Sequence, residues 1–118
     1  MKINFFSEKN KAKKISKKLQ FNLKKILNSG FYTNNLYVNE FESKFKKSFN
    51  AKYCVAVNSG TSALHLSLIS LNIGMGDEVI IPSLTFIATA AVINYVGAKP
   101  VFADVNDDDW LINTENIK

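Results

Sequence analysis

The chain is 118 residues long, the size of one domain at most, and its 47% hydrophobic content excludes wholesale disorder. Its net charge of +5 is unevenly spread: residues 1–50 hold twelve Lys against three acidic residues, and residues 51–118 hold three Lys against seven. All fifteen cations are Lys. Specific base contacts and bidentate phosphate contacts favour Arg, so the basic half reads as a solvated helix face rather than a nucleic-acid surface.

The N-terminus, Met1-Lys2-Ile3-Asn4-Phe5-Phe6, runs straight into charged residues and has no apolar stretch of signal-peptide length. A helix is predicted from about Lys9 to Asn28, with Ile15, Leu19, Leu23, Ile26 and Leu27 on one face and Lys on the other. Ser29-Gly30 ends it. A loop follows, Phe31–Tyr37, containing Thr33-Asn34-Asn35. A second helix is predicted from about Val38 to Phe49, with Val38, Phe41, Phe45 and Phe49 as its apolar stripe.

The pattern then changes. Tyr53–Val57, a short apolar and β-branched run, predicts a buried strand. The single cysteine, Cys54, lies in it and is expected to be a buried, reduced thiol of a cytoplasmic protein. Ser59–Ser62 is a turn, and Ala63–Asn72 a helix, broken by Gly74–Asp77. Glu78–Ile81 is a strand stopped by Pro82-Ser83, Thr85–Tyr95 a helix, Pro100–Val105 a strand, and Asn106–Asp109 a polar turn. Val79–Ala98 is twenty residues without a charge, but it splits into strand, turn and helix and reads as core rather than a membrane span. The succession strand–helix–strand–helix–strand implies an α/β fold with a mostly parallel sheet and flanking helices. In such sheets ligands bind outside the carboxyl ends of the strands.

The turn Asn58–Ser62 sits at such an end. Gly60 permits close backbone approach, and the free N–H groups, hydroxyls and dipole of the helix that Thr61 and Ser62 open all suit an anion. An ordinary helix N-cap explains the same residues. The turn is neither a Walker loop nor a dinucleotide fingerprint, since both glycine patterns are absent. Phe86, just past the second strand, is placed either to lie flat on a cofactor ring or to pack in the core. His65, the only histidine, reads as a packing or surface residue rather than a base.

Three segments in order resemble the DegT/DnrJ/EryC1/StrS aminotransferase family: Ser59–Leu66, Gly76–Ala90 and Tyr95–Val105. The resemblance covers about residues 25–118 and implies the pyridoxal-phosphate-dependent transferase fold of type I, as in aspartate aminotransferase. Residues 1–50 would be an N-terminal helical segment and residues 51–118 the incomplete start of the cofactor-binding large domain.

The resemblance also implies an activity: transfer of an amino group from glutamate to a nucleotide-linked keto sugar, for surface-polysaccharide or glycan synthesis, in a cytoplasmic homodimer. The cofactor is pyridoxal 5′-phosphate (PLP). By the same resemblance Gly60, Thr61 and Ser62 would hold the cofactor phosphate and Phe86 would stack on its ring. Phe31–Val38 resembles the loop lining the sugar-nucleotide pocket, with Thr33 and Asn35 as substrate contacts. The family often has Thr-x-Gly where this chain has Thr33-Asn34-Asn35; Asn tolerates left-handed backbone, so the turn can survive.

The Schiff-base lysine and the carboxylate at the pyridine nitrogen match nothing here, so no catalytic residue is assigned. Family proteins are roughly three times this length, beyond the usual single-domain size. The chain is therefore expected to be an N-terminal fragment, inactive alone, with the first strand lacking the neighbours that later strands would provide. Alternatives are a DegT-like PLP sugar dehydratase, a lysine-less regulator, or a small non-catalytic α/β module for phosphorylated ligands. No metal, nucleic-acid or membrane partner is expected.

Overall fold

The computed structural model describes residues 9–33 and 36–117, which form two compact units, Met1–Ala56 and Val57–Lys118.

The first unit is built on two helices, α1 (Lys9–Ser29) and α2 (Leu36–Ser48). The lysine-flanked apolar periodicity of α1 gives a strongly amphipathic helix, and Lys25 Nζ lies 4.5 Å from the centre of the Phe21 ring one turn away. Gly30 ends it at φ +70, where its N–H reaches the Leu27 carbonyl at 3.4 Å. On α2 the predicted stripe becomes a ring ladder, with Phe41–Phe45 centroids 5.6 Å apart and Phe45–Phe49 stacked at 4.5 Å. Asn50, at φ 49, turns the chain, and Ala51 N–H donates to the Lys46 carbonyl at 2.9 Å.

The predicted strand Tyr53–Val57 does not form. A strand needs a neighbour for its backbone groups. Here the Ala56 N–H donates instead to Glu42 Oε1 of α2 at 2.8 Å, and Tyr53 and Val55 are exposed. Cys54, expected to be buried, is only half-buried for the same reason.

The second unit runs α3 (Gly60–Ser70), β1 (Glu78–Pro82), α4 (Ile87–Tyr95), β2 (Lys99–Ala103) and a 3-10 turn at Thr114–Asn116. β1 and β2 pair in parallel, in register from Glu78 opposite Lys99 to Pro82 opposite Ala103, with α4 as the crossover. This is the parallel α/β arrangement expected from the sequence. Glu78 and Lys99, opposite one another, are joined by a 2.8 Å ion pair.

The core is small. Ile81 from β1, Val92 and Ile93 from α4, and Ala98 ahead of β2 are its buried members, with Leu68, Ile73 and Val79 packed against them. Only one face of the sheet is closed in this way. Ile80, on the other face, is 44% exposed, whereas parallel sheets are ordinarily covered on both sides.

After β2 the chain makes a tight excursion closed by an antiparallel bridge between Val105 and Ile112. Asp109 organises it, accepting from Leu111 N–H at 2.9 Å and from Asn106 Nδ2 at 3.0 Å. Those bonds, the Leu111 N–H first, hold the Asp109 carboxyl below its ordinary value. A depressed carboxylate pKa contributes order that is present above the ordinary aspartate range and is lost as pH falls through the lowered value. The Leu111 amide is therefore expected to stay protected from exchange at mildly acidic pH and to lose protection only below the usual aspartate range. NMR-detected exchange against pH checks this, and Asp109→Ala should abolish the protection at every pH.

Candidate active site

The turn before α3 is shaped by its own hydroxyls. Ser59 is extended (φ −159, ψ 160) and caps the helix, its Oγ accepting from Ser62 N–H at 3.1 Å. Ser59 Oγ also donates to Ser62 Oγ at 3.0 Å, and Ser62 Oγ donates to Asn58 Oδ1 at 2.7 Å. Among the described residues nothing accepts from the backbone N–H of Gly60 or Thr61, nor bonds the Thr61 hydroxyl. No acidic residue lies in the first turn of α3 to compete with an incoming anion.

Gly60 is not required by local packing: a Cβ built there meets no atom within 4 Å, and φ is not positive. What the missing side chain leaves is open space beside a free N–H. That space belongs to a cavity of about 530 Å³ lined by Gly60, Thr61, Ala63, Leu64, Phe86, Ala88 and Thr89. The cavity brings Gly60, Thr61 and Phe86 together, as expected from the sequence; Ser62 stands beside it, bonded to Asn58 and Ser59.

Phe86 follows the carboxyl end of β1, and its side chain is 75% exposed. It is also the N-cap residue of α4, its carbonyl accepting from Thr89 N–H at 2.9 Å, while the Thr85 and Thr89 hydroxyls meet at 3.0 Å. The helix accordingly begins at Ile87, two residues later than its periodicity predicts.

The cavity thus lies at the N-termini of two helices, neither with an acidic residue in its first turn. The contribution of Ala88 and Thr89 was not visible in the sequence, because only tertiary packing brings the start of α4 against the start of α3. The donor set suits a phosphate, and the exposed phenyl ring suits a flat heteroaromatic group, so the residues present fit PLP.

Of the other expected residues, Thr33 is exposed in the first unit, and Asn35 lies outside the described residues. His65 packs edge-on against Tyr95 of α4, centroids 5.9 Å apart, in the packing role read from the sequence. Among the described residues no cluster of His, Cys, Asp or Glu could hold a metal ion, and no helix is long and apolar enough to cross a membrane.

Residues 13–118 match the DegT/DnrJ/EryC1/StrS aminotransferase family. The chain belongs to that family. Among its relatives is GDP-perosamine synthase of Escherichia coli O157:H7, 43% identical over 82 residues, which are 70% of this chain and 22% of that protein. Among solved structures, DesV of S. venezuelae, in complex with a ketimine intermediate, superposes with a TM-score of 0.90 at 31% identity. That match covers 98% of this chain and 31% of DesV. NtdA of Bacillus subtilis, solved with bound cofactor PMP, gives a TM-score of 0.77 at 32% identity over 80% of this chain and 22% of NtdA. The chain spans between a fifth and a third of these relatives. The fold is that of the type I PLP-dependent enzymes, and the family is one of PLP-dependent sugar aminotransferases.

Proposed function

We propose that this DegT-family chain is the cofactor-seating part of an aminotransferase that moves an amino group from glutamate to a nucleotide-linked keto sugar. The observation that carries the reading is the cavity gathering Gly60, Thr61 and Phe86 at two helix N-termini. The family match and the relatives' names support the substrate class: GDP-perosamine synthase is named for a GDP-linked sugar. The reading extends to a cytoplasmic, homodimeric enzyme of surface-polysaccharide or glycan synthesis, with Thr33 and Asn35 on the substrate side.

When bound, PLP supplies an electron sink for the carbon that gains or loses the amine. The residues of this chain bind and orient. The two free N–H groups of Gly60 and Thr61, with the Thr61 hydroxyl, meet a dianion at the positive end of α3. Phe86 holds a planar ring against its face and shields that side from water. The lysine that would shuttle the proton, and the carboxylate that would hold the ring nitrogen, we place on parts of the relatives' length that this chain does not span.

Two measurements test the proposal. Pyridoxine 5′-phosphate, which lacks the aldehyde and so does not react with surface lysines, should bind the chain, whereas pyridoxine without its phosphate should not. The enzyme carrying this segment should convert glutamate to 2-oxoglutarate only when a nucleotide-linked keto sugar is supplied. Equal binding with and without the phosphate would refute the seat. Phosphate-dependent binding combined with no amino transfer would favour a non-catalytic phosphate-ligand module.

A further inference from the structure

A second cavity, of about 350 Å³, lies in the Val57–Lys118 unit at the carboxyl ends of β1 and β2. Ser83, Leu84, Asp104, Asp107 and Trp110 are among its lining residues, and it shares none with the cavity before α3. The sheet brings its walls together: Ser83 N–H donates to the Ala103 carbonyl at 2.8 Å, so the segments that leave the two strands start side by side. In parallel α/β sheets this is the end at which ligands bind.

Trp110 is held there against its backbone preference. Among the described residues three other than glycine have positive φ: Asn50 at 49, Asn72 at 57 and Trp110 at 62. Asn tolerates this region, whereas a bulky side chain there is an outlier. The excursion after β2 imposes the conformation, with Trp110 N–H donating to the Asn106 carbonyl at 3.2 Å and Asp109 bonded to Asn106 and Leu111 on either side. The strain secures no packing, because Trp110 is 65% exposed. A strained residue that its surroundings over-determine, with an exposed ring lining a cavity, points to a ligand contact rather than a core position.

The polar lining carries uncompensated charge. Asp104 Oδ1 accepts from Val105 N–H at 2.8 Å and from Ser83 Oγ at 3.5 Å, which fixes the carboxylate. Its Oδ2 has no partner among the described residues, and neither oxygen of Asp107 has one. No Lys lines the cavity, and the ion pairs among the described residues, Glu40–Lys44 and Glu78–Lys99, lie elsewhere. Nor do these carboxylates belong to a group that could hold a metal ion. Open carboxylates beside an exposed indole suit an organic cation, which both attract.

We propose that this cavity binds an ammonium-bearing sugar ring. The Trp110 indole meets the ring's C–H face, while Asp104 and Asp107 accept from the ammonium and a neighbouring hydroxyl. The cation follows from the lining alone. The sugar rests on the amino-transfer reading above, whose product is a sugar that has gained an amine. A keto sugar has no ammonium, so the cavity discriminates product from substrate. The diphosphate of a nucleotide-linked sugar stays outside, repelled by the same carboxylates.

Trp110 is the only tryptophan of the chain, so its fluorescence reports this cavity directly. D-Glucosamine, titrated at about pH 6.5 where its amine is protonated, should shift that emission. D-Glucose should bind about tenfold more weakly, and so should tetramethylammonium, which has the charge without the ring. Added salt should weaken glucosamine binding. Asp104→Asn should cost about tenfold through loss of a charged acceptor. Trp110→Phe, followed by calorimetric titration, should stay within about fivefold of the unsubstituted chain. Trp110→Asn should abolish binding and raise the thermal midpoint by about 4–8 °C, because Asn relieves the backbone strain.

No emission change with glucosamine, or a lower midpoint for Trp110→Asn, overturns the site and makes Trp110 a structural residue. Equal binding of glucose overturns the cation, and equal binding of tetramethylammonium overturns the sugar. Amino transfer is read separately by the glutamate assay above. Glucosamine binding without amino transfer would overturn that reading, and with it the assignment of the sugar as product, but not the cavity.

Discussion

Ile93→Ala is expected to remove the cooperative thermal melt of the Val57–Lys118 unit. Ile93 is 2% exposed and sits among only three other buried members of the cluster: Ile81, Val92 and Ala98. Truncating a buried Ile to Ala costs about 2–5 kcal/mol, from lost transfer energy and the cavity left behind. A small domain has about 5–15 kcal/mol in total, and one with a single sheet face closed lies toward the low end. Circular dichroism against temperature gives the readout. Ile69→Ala, at a position 50% exposed on α3, is the control and should leave the melt nearly unchanged. Equal effects from the two substitutions would mean that the second unit has no packed core.

Phe86→Ala should do the reverse, lowering ligand affinity while leaving the fold intact. The ring is 75% exposed, so its removal opens no cavity. Aromatic stacking contributes about 0.5–1.5 kcal/mol beyond area burial, which corresponds to a loss of roughly 2- to 12-fold in affinity for pyridoxine 5′-phosphate. Phe86→Tyr should retain most of it. A lower melting temperature with unchanged affinity would assign Phe86 to packing and remove it from the site.

These two predictions mark where the sequence was informative. α1, α3, β1, α4 and β2 were legible because each carries its own period and its own punctuation, such as Gly30 after α1 and Pro82-Ser83 after β1. The turn before α3 was legible as a composition, with the choice between cap and seat left open. The structure shows that Ser59 does the capping and that the Gly60 and Thr61 N–H groups have no partner among the described residues, so the cap and the proposed seat draw on different atoms of one turn. Tyr53–Val57 has the composition of a strand, but a strand is a property of a pair, and Ala56 finds the Glu42 carboxylate instead. The start of α4 as a wall of the cavity was illegible for a similar reason: nothing local to Ala88 or Thr89 records which other helix begins beside them.

The one-sided pairing of β1 has a practical consequence. Among the described residues its only partner is β2, so the opposite edge of Glu78–Pro82 presents an open row of donors and acceptors along Val79, Ile80 and Ile81. A β-branched edge of this kind is a template for another strand. β2 is better guarded, with Pro100 lacking an N–H and Lys99 carrying charge. The chain handled alone should therefore self-associate in a concentration-dependent way through β1, seen as rising light scattering, and Val79→Lys should suppress it. In a cell the same open edge would make this segment a client for chaperones until another strand closes it.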